Sequence, residues 1–278
     1  MASFNFSGLT GGLPGAILFF LAWGVLWLPI AIPISFYMFY INKWRPFDPL
    51  SDAQKLPLII SLYVLAPVLL WGFASATGVS LSLYGLYGWQ TTLLSCGIGI
   101  GIALLGVMLL CSVQVLGGWV SWQPGQGAVL RSILLPTLLL ALGISWVEEA
   151  VFRGFLPFQL QQVWPVWLTV SIASLVFAVL HMVWQGWAVA PQLPGLWLMG
   201  MVLTFACWVD RSSIGLAWGL HAGWIWGIAS LETAQILAYS DHAPLWVIGL
   251  DRKPLAGLLG ILLLLLTGGA LWGIRSVG

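Results

Sequence analysis

Two adjacent glutamates and an arginine lie in residues 146–153, within a sequence that otherwise avoids charge. Residues 132–147 carry no ionisable side chain, and charged residues make up 6% of the chain. A lone charge in the middle of a bilayer costs roughly 2.5–3.5 kcal/mol on insertion scales. Three charged side chains so close together therefore predict a functional site that is buried among membrane helices.

Helix geometry separates these three residues into two groups. Neighbouring side chains on an α-helix point about 100° apart, so Glu148 and Glu149 are expected to have different roles. Glu149 and Arg153 are four residues apart, share a helix face and are predicted to form an ion pair. Glu148 is then left without a local cation, which makes it the candidate general base.

Two histidines lie within other predicted membrane spans. His181 follows Phe177 by four residues, so the aromatic ring is expected one helical turn from the imidazole. His221 lies between Gly219 and Gly223, which leave room beside it for a close partner or for a substrate backbone. Histidines within a membrane usually mark a proton relay, a ligand site or catalysis.

If Glu148, His181 and His221 converge, they suit hydrolysis in two ways. In the first, Glu148 and one histidine hold and deprotonate a water molecule, and the other histidine stabilises the oxyanion. In the second, the three side chains bind zinc and leave the fourth ligand position to water. The spacing does not decide between them, although the sequence lacks the His-Glu-x-x-His signature of many zinc proteases.

Membrane helices must position these residues. The chain of 278 residues is 60% hydrophobic, and its mean hydropathy of +1.01 is typical of polytopic membrane proteins. We predict an all-α fold, a polytopic bundle of about eight transmembrane helices. The predicted spans are residues 13–40, 56–77, 89–116, a fourth from near 132, then 164–184, 193–209, 214–231 and 254–274.

The predicted spans divide into two parts. Residues 1–130 form N-terminal transmembrane helices with about three spans, and residues 131–278 form a core of about five spans that carries the candidate site. The connection after the first span is predicted to be cytoplasmic by the positive-inside rule. Its charged residues are Lys43, Arg45, Asp48, Asp52 and Lys55.

Simpler features of the sequence limit the processing, the partners and the surroundings of the protein. Residues 1–15 lack the positive region of a signal peptide, so no removable leader is expected. The net charge of +1 argues against a nucleic-acid partner. The expected surroundings are a lipid bilayer, in a plasma membrane or an organelle membrane.

Three motifs resemble those of one protein family. Glu148, Glu149 and Arg153 match the Glu-Glu-x-x-x-Arg motif of the CPBP family, which comprises CAAX proteases and bacteriocin-processing enzymes and is also called the Abi family. Phe177 and His181 match its Phe-x-x-x-His motif. His221 matches the start of its third motif, His-x-x-x-Asn/Asp. The resemblance covers about residues 131–231.

This resemblance implies an eight-helix intramembrane protease with a CAAX-protease-like bundle. Its substrate would be a membrane-anchored protein or peptide, either a prenylated CAAX-type protein or a bacteriocin-like one. Glu148 would activate the water together with His181, and His221 would belong to the oxyanion site. Glu149, Arg153 and Phe177 would be supporting residues. The favoured mechanism needs no cofactor, and zinc bound by Glu148, His181 and His221 is the alternative.

One residue departs from the family pattern. Ile225 occupies the position where the third motif has Asn or Asp, four residues after His221. Losing one oxyanion donor typically costs roughly 10²–10³ in rate. The alternative function is therefore a non-proteolytic membrane scaffold or chaperone that retains the fold. A proton-coupled carrier is a third alternative, but the sequence has no evident inverted repeat to support it.

Overall fold

The computed structural model describes residues 11–41, 43, 45 and 50–277. Two sequence predictions fall partly outside this range. Asp48, in the predicted first connection, lies outside the described residues. So do residues 1–10, which make up most of the segment predicted to lack a leader.

Eleven helices and two short strands make up the described part of the chain. In order they are α1 Gly12–Ile41, α2 Asp52–Thr77, α3 Trp89–Leu116, β1 Val120–Trp122, α4 Gly127–Glu149, α5 Leu156–Leu160, α6 Val166–Leu180, α7 Met182–Gln185, α8 Leu193–Val209, α9 Gly215–Thr233, β2 Leu237–Tyr239, α10 Leu245–Ile248 and α11 Leu258–Val277. Five 3-10 segments join them: Leu81–Tyr84, Pro124–Gln126, Gly186–Gln192, Leu250–Arg252 and Pro254–Ala256. The eight predicted spans correspond to α1, α2, α3, α4, α6, α8, α9 and α11.

The all-α, multi-pass prediction is confirmed. Within the described residues, six helical stretches are long and apolar enough to cross a membrane. One of these stretches, Val166–Val209, includes both α6 and α8, whereas α9 is not among the six. Many large apolar side chains are exposed on the outer surface. This distribution fits an integral membrane protein, because lipid rather than water surrounds those side chains.

Several predicted helix limits were wrong. α4 begins at Gly127 rather than near residue 132, and α11 begins at Leu258 rather than at residue 254. The span predicted for residues 164–184 ends as an α-helix at Leu180. His181 therefore lies just beyond α6, at its C-terminal end, and the short helix α7 follows it.

α4 continues past its glutamates through a π-helical segment, Ala150–Phe155, into α5. A π-helical turn holds one more residue than an α-helical turn and often occurs at functional sites. Phe155 and Leu160, which follow the glutamates, are almost fully buried. A Cβ atom on Gly154 would lie 2.4 Å from the carbonyl oxygen of Tyr84, so glycine permits this close packing.

The aromatic core is centred on Phe155. Its ring centroid lies 4.3 Å from that of Phe19 on α1 and 5.1 Å from that of Phe73 on α2. Tyr84 packs edge-on against it at 5.6 Å. The first two helices are thereby packed onto the segment that follows the glutamates. The division of the chain near residue 130 stays a prediction.

α9, which carries His221, packs closely against α3. A Cβ atom on Gly219 would lie 2.0 Å from the carbonyl oxygen of Cys96, and one on Gly99 would lie 2.5 Å from that of Leu216. Small residues allow helix backbones to approach this closely. The space at Gly219 and Gly223 is filled by α3, which is the close partner that these flanking glycines predicted.

α3 and α9 are also joined at both ends. At one end, the Asp210 carboxylate accepts hydrogen bonds from Ser95 Oγ at 2.7 Å and from the backbone N–H of Leu216 at 3.1 Å. The second bond satisfies a free N–H group in the first turn of α9. At the other end, β1 pairs antiparallel with β2, with Ser121 opposite Ala238. This small sheet was not predicted, since both strands lie in stretches predicted to be connections.

Candidate active site

Glu149 is fully buried at the end of α4 and has two partners. Its Oε1 lies 3.1 Å from Nη1 of Arg153 and 2.7 Å from Nδ1 of His221. The ion pair predicted from the four-residue spacing is thus confirmed. Because a carboxylate oxygen only accepts hydrogen bonds, Nδ1 of His221 donates this one. Glu149 therefore fixes the orientation of the His221 ring and leaves Nε2 for other contacts.

The aromatic ring of Phe177 lies among these side chains. The Arg153 guanidinium lies 4.2 Å from its centroid, which is a cation–π contact that gains strength when desolvated. The ring also packs edge-on against His181 and His221, with centroids 4.7 Å and 5.9 Å apart. The predicted contact between Phe177 and His181 is confirmed. Phe177 contacts His221 as well, across the boundary between α6 and α9.

Glu148 contacts a different set of partners from its neighbour. Its Oε1 accepts a hydrogen bond from the Tyr63 hydroxyl of α2, and its Oε2 lies 3.6 Å from Nε2 of His221. The prediction that Glu148 has no local cation agrees with these contacts, because both of its partners come from distant helices. Glu148 and Glu149 face opposite nitrogens of one imidazole. This arrangement fits the expectation that the two glutamates have different roles.

The end of α6 fixes the ring of His181. The backbone N–H of His181 donates to the carbonyl of Ala178, at 3.2 Å. The carbonyl of Phe177 is 2.8 Å from Nδ1 of the His181 ring. A carbonyl only accepts, so Nδ1 carries the hydrogen and Nε2 of the neutral ring is an acceptor. His181 is partly buried.

Two cavities meet at these residues. The first has a volume of about 260 Å³ and is mostly aromatic, with Phe20, Trp23, Trp27, Tyr63, Phe152 and Trp184 among its lining residues. The second has a volume of about 390 Å³ and is lined mainly by apolar side chains, together with Gln192, Glu232 and Lys253. Three residues line both cavities: Glu148, His181 and Gln185. We call this shared region the junction.

His221 and Ile225 line the second cavity. Ile225 lies one helical turn after His221 and is partly buried. Its side chain has no hydrogen-bond donor or acceptor, so it offers the cavity only an apolar surface.

Sequence reasoning missed two residues of this arrangement, Tyr63 and Gln185. Tyr63 lies in an apolar span, and no local spacing connects it with Glu148. A single tyrosine in that span was the only available signal. Gln185 follows His181 by four residues, which is the spacing of side chains on one helix face. That spacing could have identified it.

Zinc is the cofactor to be tested against this geometry. Among the residues that the structure describes, no group of three or more His, Cys, Asp and Glu side chains is arranged to hold a metal ion. The alternative of a zinc site at Glu148, His181 and His221 therefore lacks a ready ligand set. The catalytic roles of these three residues stay predictions.

Residues 130–227 match the model of a family described as type II CAAX prenyl endopeptidase Rce1-like. This match confirms the resemblance to CAAX proteases that was inferred from the three motifs. It spans all six predicted site residues but not Tyr63, which belongs to α2. No curated protein and no solved structure matches the chain.

Proposed function

We propose that this protein is an intramembrane endopeptidase. Residues 130–227 are similar to a family of CAAX prenyl endopeptidases, and the chain is a multi-pass membrane protein. It hydrolyses a peptide bond of a membrane-anchored protein or peptide at the junction of the two cavities. The observation that carries this proposal is that Glu148 and His181 line the junction together. A base and a second proton acceptor at one place suit the activation of water.

Glu148 acts first as the base. It takes a proton from a water molecule, whose oxygen attacks the carbonyl carbon, and the carbonyl oxygen becomes an oxyanion. His181 orients the water through Nε2, the ring nitrogen that accepts. When the tetrahedral intermediate collapses, the C–N bond breaks and Glu148 returns the proton to the leaving nitrogen. The products are a new carboxyl terminus and a free amine, and no cofactor takes part.

Tyr63 is a positioning residue in this mechanism. Its hydroxyl holds Oε1 of Glu148, which leaves Oε2 for the water. Hydrogen bonds that lock a reacting side chain reduce the reorganisation needed in the transition state. The N-terminal helices thus contribute to the site.

His221 is the proposed partner of the oxyanion. Glu149 fixes its Nδ1, and its Nε2 lies on the side of Glu148. When the ring is protonated, Nε2 becomes a donor toward developing negative charge. Arg153 balances the charge of Glu149, so this pair supports His221 without adding net charge.

The aromatic lining of the first cavity suits a substrate that carries an apolar group. Rings and indoles from α1, the π-helical segment and α6 surround it, and it opens directly beside Glu148. Such a surface suits a prenyl chain or a hydrophobic peptide segment. Substrates of the CAAX type or the bacteriocin type both carry such groups.

The test uses the purified full-length chain in detergent and in lipid vesicles, with quenched fluorescent peptides that carry an apolar or prenylated anchor. Wild type is expected to cleave, and Glu148→Gln to lose at least about 10³-fold in kcat because the base is removed. Asp241→Asn is the matched control, since Asp241 is an exposed carboxylate that lines neither cavity. Equal cleavage by wild type and Glu148→Gln would rule out the proposed mechanism.

Ile225 favours one other function, a membrane scaffold or chaperone without protease activity. Its apolar side chain lies in the second cavity, where a polar group would assist hydrolysis. A scaffold needs the fold but not the base. On the scaffold function, Glu148→Gln is expected to complement a gene deletion as well as wild type does. Failed complementation by a folded Glu148→Gln protein counts against that function.

A further inference from the structure

Hydrolysis at the junction requires a hydrogen-bond donor for the oxyanion. This inference rests on the proposed function, in which an oxyanion forms where Glu148, His181 and Gln185 meet. Hydrogen-bond donors aimed at that oxygen are usually the largest single contribution to such catalysis. The question is which side chain at the junction has a donor to give.

Most of the polar groups around the junction have no free donor. An ionised Glu148 only accepts hydrogen bonds. The Nδ1 hydrogen of His181 is used by the carbonyl of Phe177. The Tyr63 hydroxyl donates to Glu148. Ile225, on the side of the second cavity, has no polar atom.

Among the three residues that line both cavities, Gln185 is the one whose side chain has a donor to spare. Its carboxamide carries two N–H donors, and no hydrogen bond to this side chain occurs within the described ranges of the chain. The side chain is exposed and lines both cavities. An unpaired amide that borders both cavities is free to bond a substrate.

The backbone places Gln185 next to the reacting groups. Its N–H donates to the carbonyl of His181, at 3.2 Å. It is therefore one helical turn after His181, on the same face. α7 has only four residues and ends at Gln185, so the side chain extends from the end of the helix rather than from a packed face.

We propose that Gln185 is a catalytic residue that donates a hydrogen bond from its side-chain amide to the substrate carbonyl oxygen as the oxyanion forms. Gln185 and His221 then serve the oxyanion together. Gln185 supplies the donor that Ile225 does not.

The test compares wild type, Gln185→Ala and Gln185→Glu in the vesicle assay. Both variants are expected to lower kcat by about 10²-fold, with KM changed less than threefold, because the donor acts in the transition state. Gln185→Glu has nearly the same shape but lacks the amide donors, so it tests the proposal even if the alanine variant folds poorly. Gln90→Ala, at an exposed glutamine at the start of α3, is the control and is expected to match wild type.

A second donor offers a rescue test. Ile225→Asn is expected to recover at least about tenfold of the kcat lost in Gln185→Ala, because it brings an amide to the second cavity beside His221. A merely structural role of Gln185 would not be repaired from α9. The proposal is overturned if both Gln185 variants keep the wild-type kcat, if only KM changes, or if Ile225→Asn recovers nothing.

The same series separates this inference from the proposed function. If wild type does not cleave, or if Glu148→Gln cleaves equally well, the proposed function fails. If wild type cleaves, Glu148→Gln does not and both Gln185 variants are unimpaired, only the role of Gln185 fails.

Discussion

Nδ1 of His221 lies 2.7 Å from Oε1 of Glu149, and the two residues come from helices that meet only in the folded bundle. A buried carboxylate that accepts from an imidazole N–H holds the ring in one tautomer and one orientation. The resemblance to the family implies that Glu149 is a supporting residue, as is Arg153, with which it pairs. The contact adds a second task, because Glu149 also determines how His221 presents Nε2 to Glu148.

Replacing Glu149 by Gln tests both tasks. The variant leaves Arg153 buried without its counter-charge, which typically costs about 3–5 kcal/mol of stability. It also removes the charged acceptor of His221, so kcat is expected to fall by about 10²–10⁴ in the protein that still folds. Thermal unfolding in mild detergent and steady-state kinetics measure the two effects separately.

The paired variant Glu149→Gln/Arg153→Met serves as the control for charge. It removes both charges, so its stability is expected to exceed that of Glu149→Gln alone. Its kcat is expected to stay low, since the fixation of His221 is still lost. Wild-type kcat in either variant would contradict a role for Glu149 in orienting the imidazole.

Tyr63→Phe removes the hydroxyl that holds Glu148 and keeps the aromatic ring. A hydrogen bond to a charged group contributes about 1.5–3 kcal/mol, so kcat is expected to fall by about 10- to 100-fold with little change in KM. Tyr87→Phe, at an exposed tyrosine outside both cavities, is the matched control. Equal kinetics for the two variants would show that the hydroxyl of Tyr63 does not assist the base.

The metal-free mechanism predicts that cleavage survives exhaustive chelation. After dialysis against a strong chelator, kcat is expected to be unchanged. Elemental analysis is expected to find less than about one zinc per ten protein molecules. Loss of activity that added zinc restores would instead favour the zinc alternative. Glu148→Gln measured alongside confirms that the cleavage observed is that of this site.

Gly219→Ala tests the close packing of the helix that carries His221. Its new Cβ would lie 2.0 Å from the carbonyl oxygen of Cys96, so α9 must move away from α3. We expect a loss of about 1–3 kcal/mol in stability, as for other overpacked cores, and a lower kcat because His221 moves with α9. Gly97→Ala is the control, as its Cβ would meet no atom within 4 Å. Equal melting temperatures for the two variants would contradict this account.

The local part of the site could be predicted from the sequence. The Glu149–Arg153 pair and the Phe177–His181 contact each join residues four apart, and helix geometry alone brings such residues together. The long apolar segments likewise predict the helices, because a bilayer of fixed thickness requires them. The helix ends were less predictable, since Leu180 and Leu258 look no different from their neighbours.

The long-range part could not be predicted in the same way. Tyr63 and Glu148 are 85 residues apart, and His221 and Glu149 are 72 residues apart. Such contacts depend on which faces of different helices meet, and an apolar face toward lipid resembles one toward another helix. The π-helical segment also gave no sign, because Ala150–Phe155 has the composition of an ordinary helix.

The fastening of α9 to α3 separates the support of His221 from the wall of the first cavity. Glycine contacts, Asp210 and the paired strands restrain the helix that carries His221. α1 directs many of its large side chains outward while it also walls the first cavity. On the proposed function, the apolar group of a substrate contacts α1 in the first cavity, whereas His221 is fastened to α3 and lines the second cavity, so substrates of different bulk can be accepted without displacing the imidazole.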